Sequence, residues 1–348
     1  YFSLPILWLG PAKNAAELSD AELRVVTVLF GLGLILLLPL VKDGLGRTAT
    51  SWAAVFLAAS PAMVFYSRYF IHEMLLVFFT LLTLTAGWRY AQSRHAGWAA
   101  LAGIGVGLMF ATKETFVLSI AAMGFALVAT RLWNRWRAQR SQAPAESIPK
   151  VKWTPAPRHV ALALTTAGVV WLLFFNSFFT NAAGPGDSLT TYLPWLHRAG
   201  GASPHIHPWP FYLERLLWFH PAKSPVWTEA LIAILALCGA AAAFCNNPNL
   251  VSRPGLTRFL VFYTAALTVI YSLISYKTTW CLLNFWLGVI LLAGIGASAL
   301  VQMCRTRLTR ILLVALLGVG VLHLALQSWT LSQYLAADLR NPYVYAQT

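Results

Sequence analysis

Charge is scarce in this 348-residue chain: Asp, Glu, Lys and Arg make up 10% of it, against about 25% in soluble domains. That shortage excludes an ordinary water-facing globular surface. Alternating segments of about ten residues are missing, which excludes a lipid-facing β-barrel. Only four cysteines occur, Cys238, Cys245, Cys281 and Cys304. None has metal-ligand spacing, so they read as packing residues. No P-loop, catalytic-triad or zinc spacing appears. Gly103-x-Gly105 follows no strand and is not a nucleotide loop. The chain also lacks an initial methionine and a signal-peptide pattern, since it opens on Tyr1.

What is present is apolar. Hydrophobic residues make up 58% of the chain, in runs of roughly 15–22 residues, the length a membrane helix needs. Helices satisfy their own backbone hydrogen bonds in lipid. The predicted fold class is therefore an all-α polytopic membrane protein with about ten transmembrane helices. Ser19-Asp20-Ala21-Glu22 is a capping box that starts a span reaching Val41. The next spans read as Trp52–Tyr66, Met74–Trp88, Trp98–Ala111, Phe116–Thr130 and Val160–Phe179. Glu229–Cys245, Phe259–Ile274, Trp280–Leu300 and Ile311–Ser328 complete the set, and a polar exit follows. Gly103, Gly105 and Gly107 suit close helix packing. The whole reads as one membrane domain with two long connections, a basic loop at 131–158 and a loop at 180–228. In the second, Gly184-Pro185-Gly186-Asp187 reads as a turn and Pro208–Phe219 as an amphipathic interfacial helix.

The formal net charge is +14. In a soluble protein that would suggest nucleic acid; in a membrane protein it reads as positive-inside topology, and no nucleic-acid partner is expected. Alternate loops at 42–51, 89–97, 131–158, 246–258 and 301–310 hold 16 of the 25 Lys and Arg, but only Asp43 and Glu146 among the acids. This set is assigned to the cytoplasm. The 131–158 loop can also touch anionic headgroups.

Three short charged hairpins then share the opposite face: Arg68, His72 and Glu73; Lys113 and Glu114; Tyr276 and Lys277. Ionisable groups at a membrane helix end are costly unless paired or solvated, which makes them functional candidates. Arg68, Lys113 and Lys277 are expected to line one cavity and hold a lipid-linked phosphate. Glu73 and Glu114 are the candidate catalytic carboxylates. The plainer alternative is snorkelling and ion pairing.

These motifs resemble a known family. Ala21-Glu22-Leu23-Arg24 with Phe30-Gly31, and Ser60-Pro61-Ala62-Met63-Val64-Phe65-Tyr66-Ser67-Arg68-Tyr69 with Glu73, resemble the GT-C glycosyltransferase superfamily. The group concerned is related to protein O-mannosyltransferases and the lipid A aminoarabinose transferase. Ala111-Thr112-Lys113-Glu114, Tyr276–Cys281, Phe178–Asn181, His207-Pro208-Trp209 and Asn341–Tyr345 look like its prokaryotic flippase activity-associated branch. The resemblance implies a multi-pass enzyme of the prokaryotic inner membrane. Such an enzyme moves a sugar from a polyprenyl-phosphate donor to a glycan, lipid or protein acceptor on the outer face. It also implies a catalytic acid in a first extracytoplasmic loop, expected upstream of Tyr1 together with the first helix, and leaves room for a C-terminal extracytoplasmic domain. Arg68 and Glu73 match positions that line or border the cavity.

His205-x-His207 allows a metal contact or a rigid lid between Pro204 and Pro208; no ligand set for a divalent metal is visible, and metal dependence stays open. His72, Tyr276, His207 and Trp209 join the substrate-binding candidates. Trp195, Trp209, Phe211, Tyr212, Trp218, Phe219 and Trp227 form either an interfacial belt or a lid over sugar and prenyl chain. The rival to a transferase is a non-enzymatic polyprenyl-lipid flippase or flippase-associated protein, with the same cations recognising the headgroup.

Overall fold

The computed structural model describes residues 1–10, 14–140, 155–194, 205–245, 247 and 250–345. In chain order the helices are α1 Leu4–Leu9, α2 Asp20–Leu37, α3 Lys42–Leu45, α4 Arg47–Ala59, α5 Pro61–Ser67, α6 Glu73–Ser93, α7 Ala96–Thr112 and α8 Phe116–Arg140. They continue with α9 Pro157–Phe175, α10 Gly184–Thr190, α11 Phe211–Leu217, α12 Ala230–Phe244, α13 Pro254–Leu273, α14 Leu283–Met303 and α15 Arg307–Gln333. Among the described residues, β pairing is limited to two isolated bridges, Ile206 with Tyr276 and Phe219 with Trp227.

Among the described residues, seven stretches are long and apolar enough to cross a membrane, and an eighth arises if the bent pair α4–α5 counts as one span. α7 and α12 are apolar but shorter. The ten apolar units of the sequence are thus all helical, while seven or eight reach crossing length. The chain is a multi-pass α-helical membrane protein.

α14 is the axis. Its residues from Leu283 to Ala299 are buried, Val289 excepted. α4, α12 and α13 pack around it. Glycine sets how closely they approach: a Cβ on Gly239 of α12 would lie 2.9 Å from the Gly296 backbone nitrogen of α14. α7 uses the same device, since a Cβ on Gly107 would meet the Ala167 carbonyl of α9 at 2.8 Å. Without a hydrophobic driving force between helices in lipid, such close backbone packing holds a bundle together.

Several boundaries differ from the sequence reading. α8 runs past Thr130 to Arg140, because no Gly or Pro interrupts the chain before Pro144. Residues 131–140 of the predicted basic loop are therefore helix, and residues 141–154 lie outside the described residues. α9 stops at Phe175, not Phe179. Ser177, Phe178 and Phe179 turn left-handed (φ 51°, 54° and 72°), and the Asn176 side chain accepts from the Phe179 N–H at 3.0 Å. Gly184–Thr190 is a short helix, not a turn, with Pro185 at its first turn. α11 is shorter than the interfacial helix expected there; Phe211, Tyr212 and Leu216 face the core and not the membrane surface. The C-terminal segment is not simply a polar exit, because Asn341 and Tyr343 are buried.

Polar contacts fall at two ends of the bundle. At one, Asp43 accepts from Trp88 and Arg89, Tyr90 meets His159, and Arg258 donates to Asn134 and to the Ala243 carbonyl. This is the basic-loop end. The hairpins at 68–72 and 113–115, the 276–278 segment and the 205–211 segment all gather at the other.

One buried carboxylate ties that second end together. α4 and α5 meet at a 61° bend at Ser60-Pro61, where proline removes a backbone donor and forces the kink. Glu229, fully buried ahead of α12, accepts from the Ser60 hydroxyl (2.5 Å) and the Ala62 N–H (2.8 Å). It also accepts from the Trp286 indole (3.1 Å) and the Tyr343 hydroxyl (2.5 Å). Tyr343 in turn accepts from the Tyr66 hydroxyl through its carbonyl. Removing Glu229 strands four buried donors at once. Glu229→Ala should cost about 3–5 kcal/mol, whereas Tyr343→Phe should cost about 1 kcal/mol. Thermal unfolding of the detergent-purified variants checks that order.

Candidate functional site

Three helix ends build the site. His72 precedes α6, and Glu73 is its first residue. Lys113 follows α7 in extended geometry (φ −162°, ψ 141°), which turns the chain into α8. Thr279–Leu282 is a 3-10 turn that leads into α14, placing Cys281 and Asn284 beside the other two ends.

At the centre, Lys113 Nζ donates to Glu73 Oε2 at 2.5 Å. The Glu73 side chain is fully buried and that of Lys113 is 9% exposed. Asn284 Nδ2 donates to the other oxygen of Glu73 at 2.5 Å, so both carboxylate oxygens are occupied. Lys113 also reaches Cys281 Sγ at 3.5 Å, and Cys281 meets the Thr278 hydroxyl at 3.2 Å. Burial alone would depress the Lys113 ammonium; Cys281 and Glu73 outweigh it and hold the group above the ordinary lysine value. The ion pair with Glu73 holds Lys113 as a cation at neutral pH.

Glu114 sits next to this pair and is only half-buried. Its main-chain carbonyl accepts from the Tyr192 hydroxyl at 3.3 Å, and no hydrogen bond to its carboxylate occurs among the described residues. Its charge is still felt: burial first, then Glu114, raises the Tyr192 hydroxyl. His72 lies on the same rim. Desolvation of its ring, then the Lys113 charge, depresses it below the ordinary histidine value and keeps it neutral at neutral pH.

The other nominated residues lie elsewhere. Lys277 is buried, and its ammonium donates to the carbonyls of His207 (3.1 Å) and Ile274 (2.5 Å). It fastens the 205–211 segment to the α13–α14 connection, and burial lowers its pKa. Tyr276 pairs with Ile206 and sets its ring against His205. His205 also hydrogen-bonds the Tyr345 hydroxyl, while His207 stacks on Phe211 at 4.0 Å. Trp209 and Trp218 point outward, whereas Phe211, Tyr212 and Trp227 are core; Trp195 lies outside the described residues. Arg68 donates to the Ser332 carbonyl at 3.1 Å, in a groove against α15. Each of the three cations has its own partners: Arg68 a carbonyl of α15, Lys113 the Glu73 carboxylate and Cys281, and Lys277 the carbonyls of His207 and Ile274.

Sequence reasoning missed Glu229, Asn284 and the role of Tyr343. Glu229 and Asn284 were readable only as polar residues at the start of apolar runs. Tyr343 sits in a short motif whose partners are far away in sequence.

With this geometry in hand, the comparisons with known proteins are informative. Residues 15–143 match the family model for dolichyl-phosphate-mannose-protein mannosyltransferase. The lipid A galacturonosyltransferase RgtD of Rhizobium johnstonii is 26% identical over 133 residues, covering 37% of this chain and 28% of that protein. The crystal structure of ArnT from Cupriavidus metallidurans bound to undecaprenyl phosphate superposes with a TM-score of 0.57 at 15% identity, over 98% of this chain and 65% of that one. Its apo form gives 0.54 at 15% identity, over 92% and 62%.

The chain has an ArnT-like GT-C fold. It spans less than a third of the curated relative and just under two thirds of the ArnT chains. The matched family segment contains α6, the α7–α8 hairpin and therefore Glu73, Lys113 and Glu114.

The buried pair makes a sharp test. Lys113→Ala or Glu73→Ala leaves one uncompensated buried charge and should each cost about 3–5 kcal/mol. A Lys113→Met, Glu73→Gln double variant should recover a large part of that loss. Melting temperatures of the three variants measure the coupling.

Proposed function

We propose that this protein is a membrane glycosyltransferase that takes its sugar from a polyprenyl-phosphate carrier at the extracytoplasmic face of a prokaryotic inner membrane. The observation that carries the reading is an open carboxylate, Glu114, next in the chain to a cation, Lys113, that Glu73 holds in place at one end of a GT-C fold. Undecaprenyl phosphate bound to ArnT, and the galacturonosyl transfer in the name of RgtD, support the class of donor. The acceptor is a hydroxyl of a glycan, lipid or protein.

In this reading the acceptor oxygen attacks C1 of the sugar while the bond from C1 to the phosphate oxygen breaks. The electron pair leaves with the polyprenyl phosphate, and the acceptor proton passes to Glu114, directly or through neutral His72. Lys113 has three N–H donors. Two are directed at Glu73 and Cys281, and the third is free to meet a phosphate oxygen. Charge held in advance where charge develops lowers the barrier. Glu73 does not act on the substrate; it keeps Lys113 in place and charged. Lys277, Tyr276 and His207 shape the loop above the site.

Glu114→Gln in the full-length protein should slow transfer from a labelled polyprenyl-phosphate sugar by about 10²–10⁴-fold, with abundance and melting temperature unchanged. Transfer at the wild-type rate would remove Glu114 from the mechanism.

A further inference from the structure

A groove of about 440 Å³ opens between α5 and α15. Val64 and Arg68 line one wall, and Ala325, Ser328, Trp329 and Ser332 line the other. It arises from the 61° bend between α4 and α5, which leaves a notch beside the straight α15. Arg68 uses one of its five N–H donors, on the Ser332 carbonyl at 3.1 Å. That bond offsets the partial negative charge at the end of α15 and leaves the remaining donors of the guanidinium available. The Ser332 hydroxyl is a second donor: the residue is 8% exposed, and its oxygen is buried without a partner. Ser328 is already spent on the Ala59 carbonyl at 2.6 Å.

Trp329 is 58% exposed at this level and Tyr334 is 74% exposed just beyond it, where amphipathic rings mark the headgroup region. The groove therefore offers a cation, a free hydroxyl donor and an apolar wall at headgroup depth. Among the described residues no Asp or Glu lines it, so none of these would pair with the ammonium of a zwitterionic lipid. We propose that this groove binds the phosphodiester of an anionic membrane phospholipid, at a site separate from the Glu73–Lys113 pair. A planar guanidinium with a neighbouring hydroxyl suits two phosphate oxygens. The assignment does not rest on the transferase reading.

The test is native mass spectrometry of the full-length protein purified in detergent, with phosphatidylglycerol, phosphatidylcholine or undecaprenyl phosphate added separately. Wild type should retain one phosphatidylglycerol in preference to phosphatidylcholine. Arg68→Gln should weaken that retention about tenfold, the scale of one lost charge-assisted bond. Ser332→Ala, which leaves the arginine and the packing intact, should weaken it by a smaller factor. Undecaprenyl phosphate should be unaffected by either change. Phosphatidylglycerol held as tightly by both variants as by wild type overturns the proposal. So does loss of undecaprenyl phosphate alone, which would assign the groove to the carrier lipid, or equal loss of every lipid.

Discussion

A lysine and a glutamate removed from water together are the constraint on which one end of this bundle depends. Neither Glu73 nor Lys113 tolerates that burial alone. Lys113 comes from the end of α7, Glu73 from the start of α6 and Asn284 from the start of α14, so satisfying the pair docks three helix ends. Glu114 is then carried to a fixed place, because it is the next residue in a hairpin whose lysine cannot move.

The two buried carboxylates do different work. Glu229 draws four neutral donors onto itself and holds the α4–α5 bend against α12, α14 and the C-terminal segment. It carries no free lone-pair direction toward a substrate. Glu73 accepts one bond on each oxygen, from one cation and one amide. A polar group buried without partners costs several kcal/mol; Glu229 meets that demand fully, whereas Asn284 Oδ1 beside Glu73 is buried without a partner. Glu114 is the least engaged of the three, with no hydrogen bond to its carboxylate among the described residues, and the proposed mechanism assigns the reactive role to it.

Much of the fold was legible because membrane helices announce themselves by composition. The capping box at Ser19–Glu22 marked the start of α2, and the glycines of α7 marked close packing against α9. What failed was anything that depended on a partner far away in the chain. Arg68, Lys113 and Lys277 look equivalent as lone cations between apolar runs. Their different fates follow from a carbonyl of α15, a carboxylate of α6 and carbonyls of the 205–211 segment and α13, none of which periodicity can pair. Tyr343 looked like part of a polar tail for the same reason, since Glu229 lies 114 positions away.

The central claim is that a lipid-linked phosphate meets Lys113 while Glu114 faces the reacting sugar. The most direct measurement is an electron-microscopy structure of the full-length protein with a polyprenyl phosphate bound. The account predicts a phosphate oxygen about 2.7–2.9 Å from Lys113 Nζ, with the Glu73 contact intact and the Glu114 carboxylate directed toward the phosphate. A phosphate seated in the groove at Arg68, or an unchanged Lys113 with the lipid phosphate held by other residues, would contradict it.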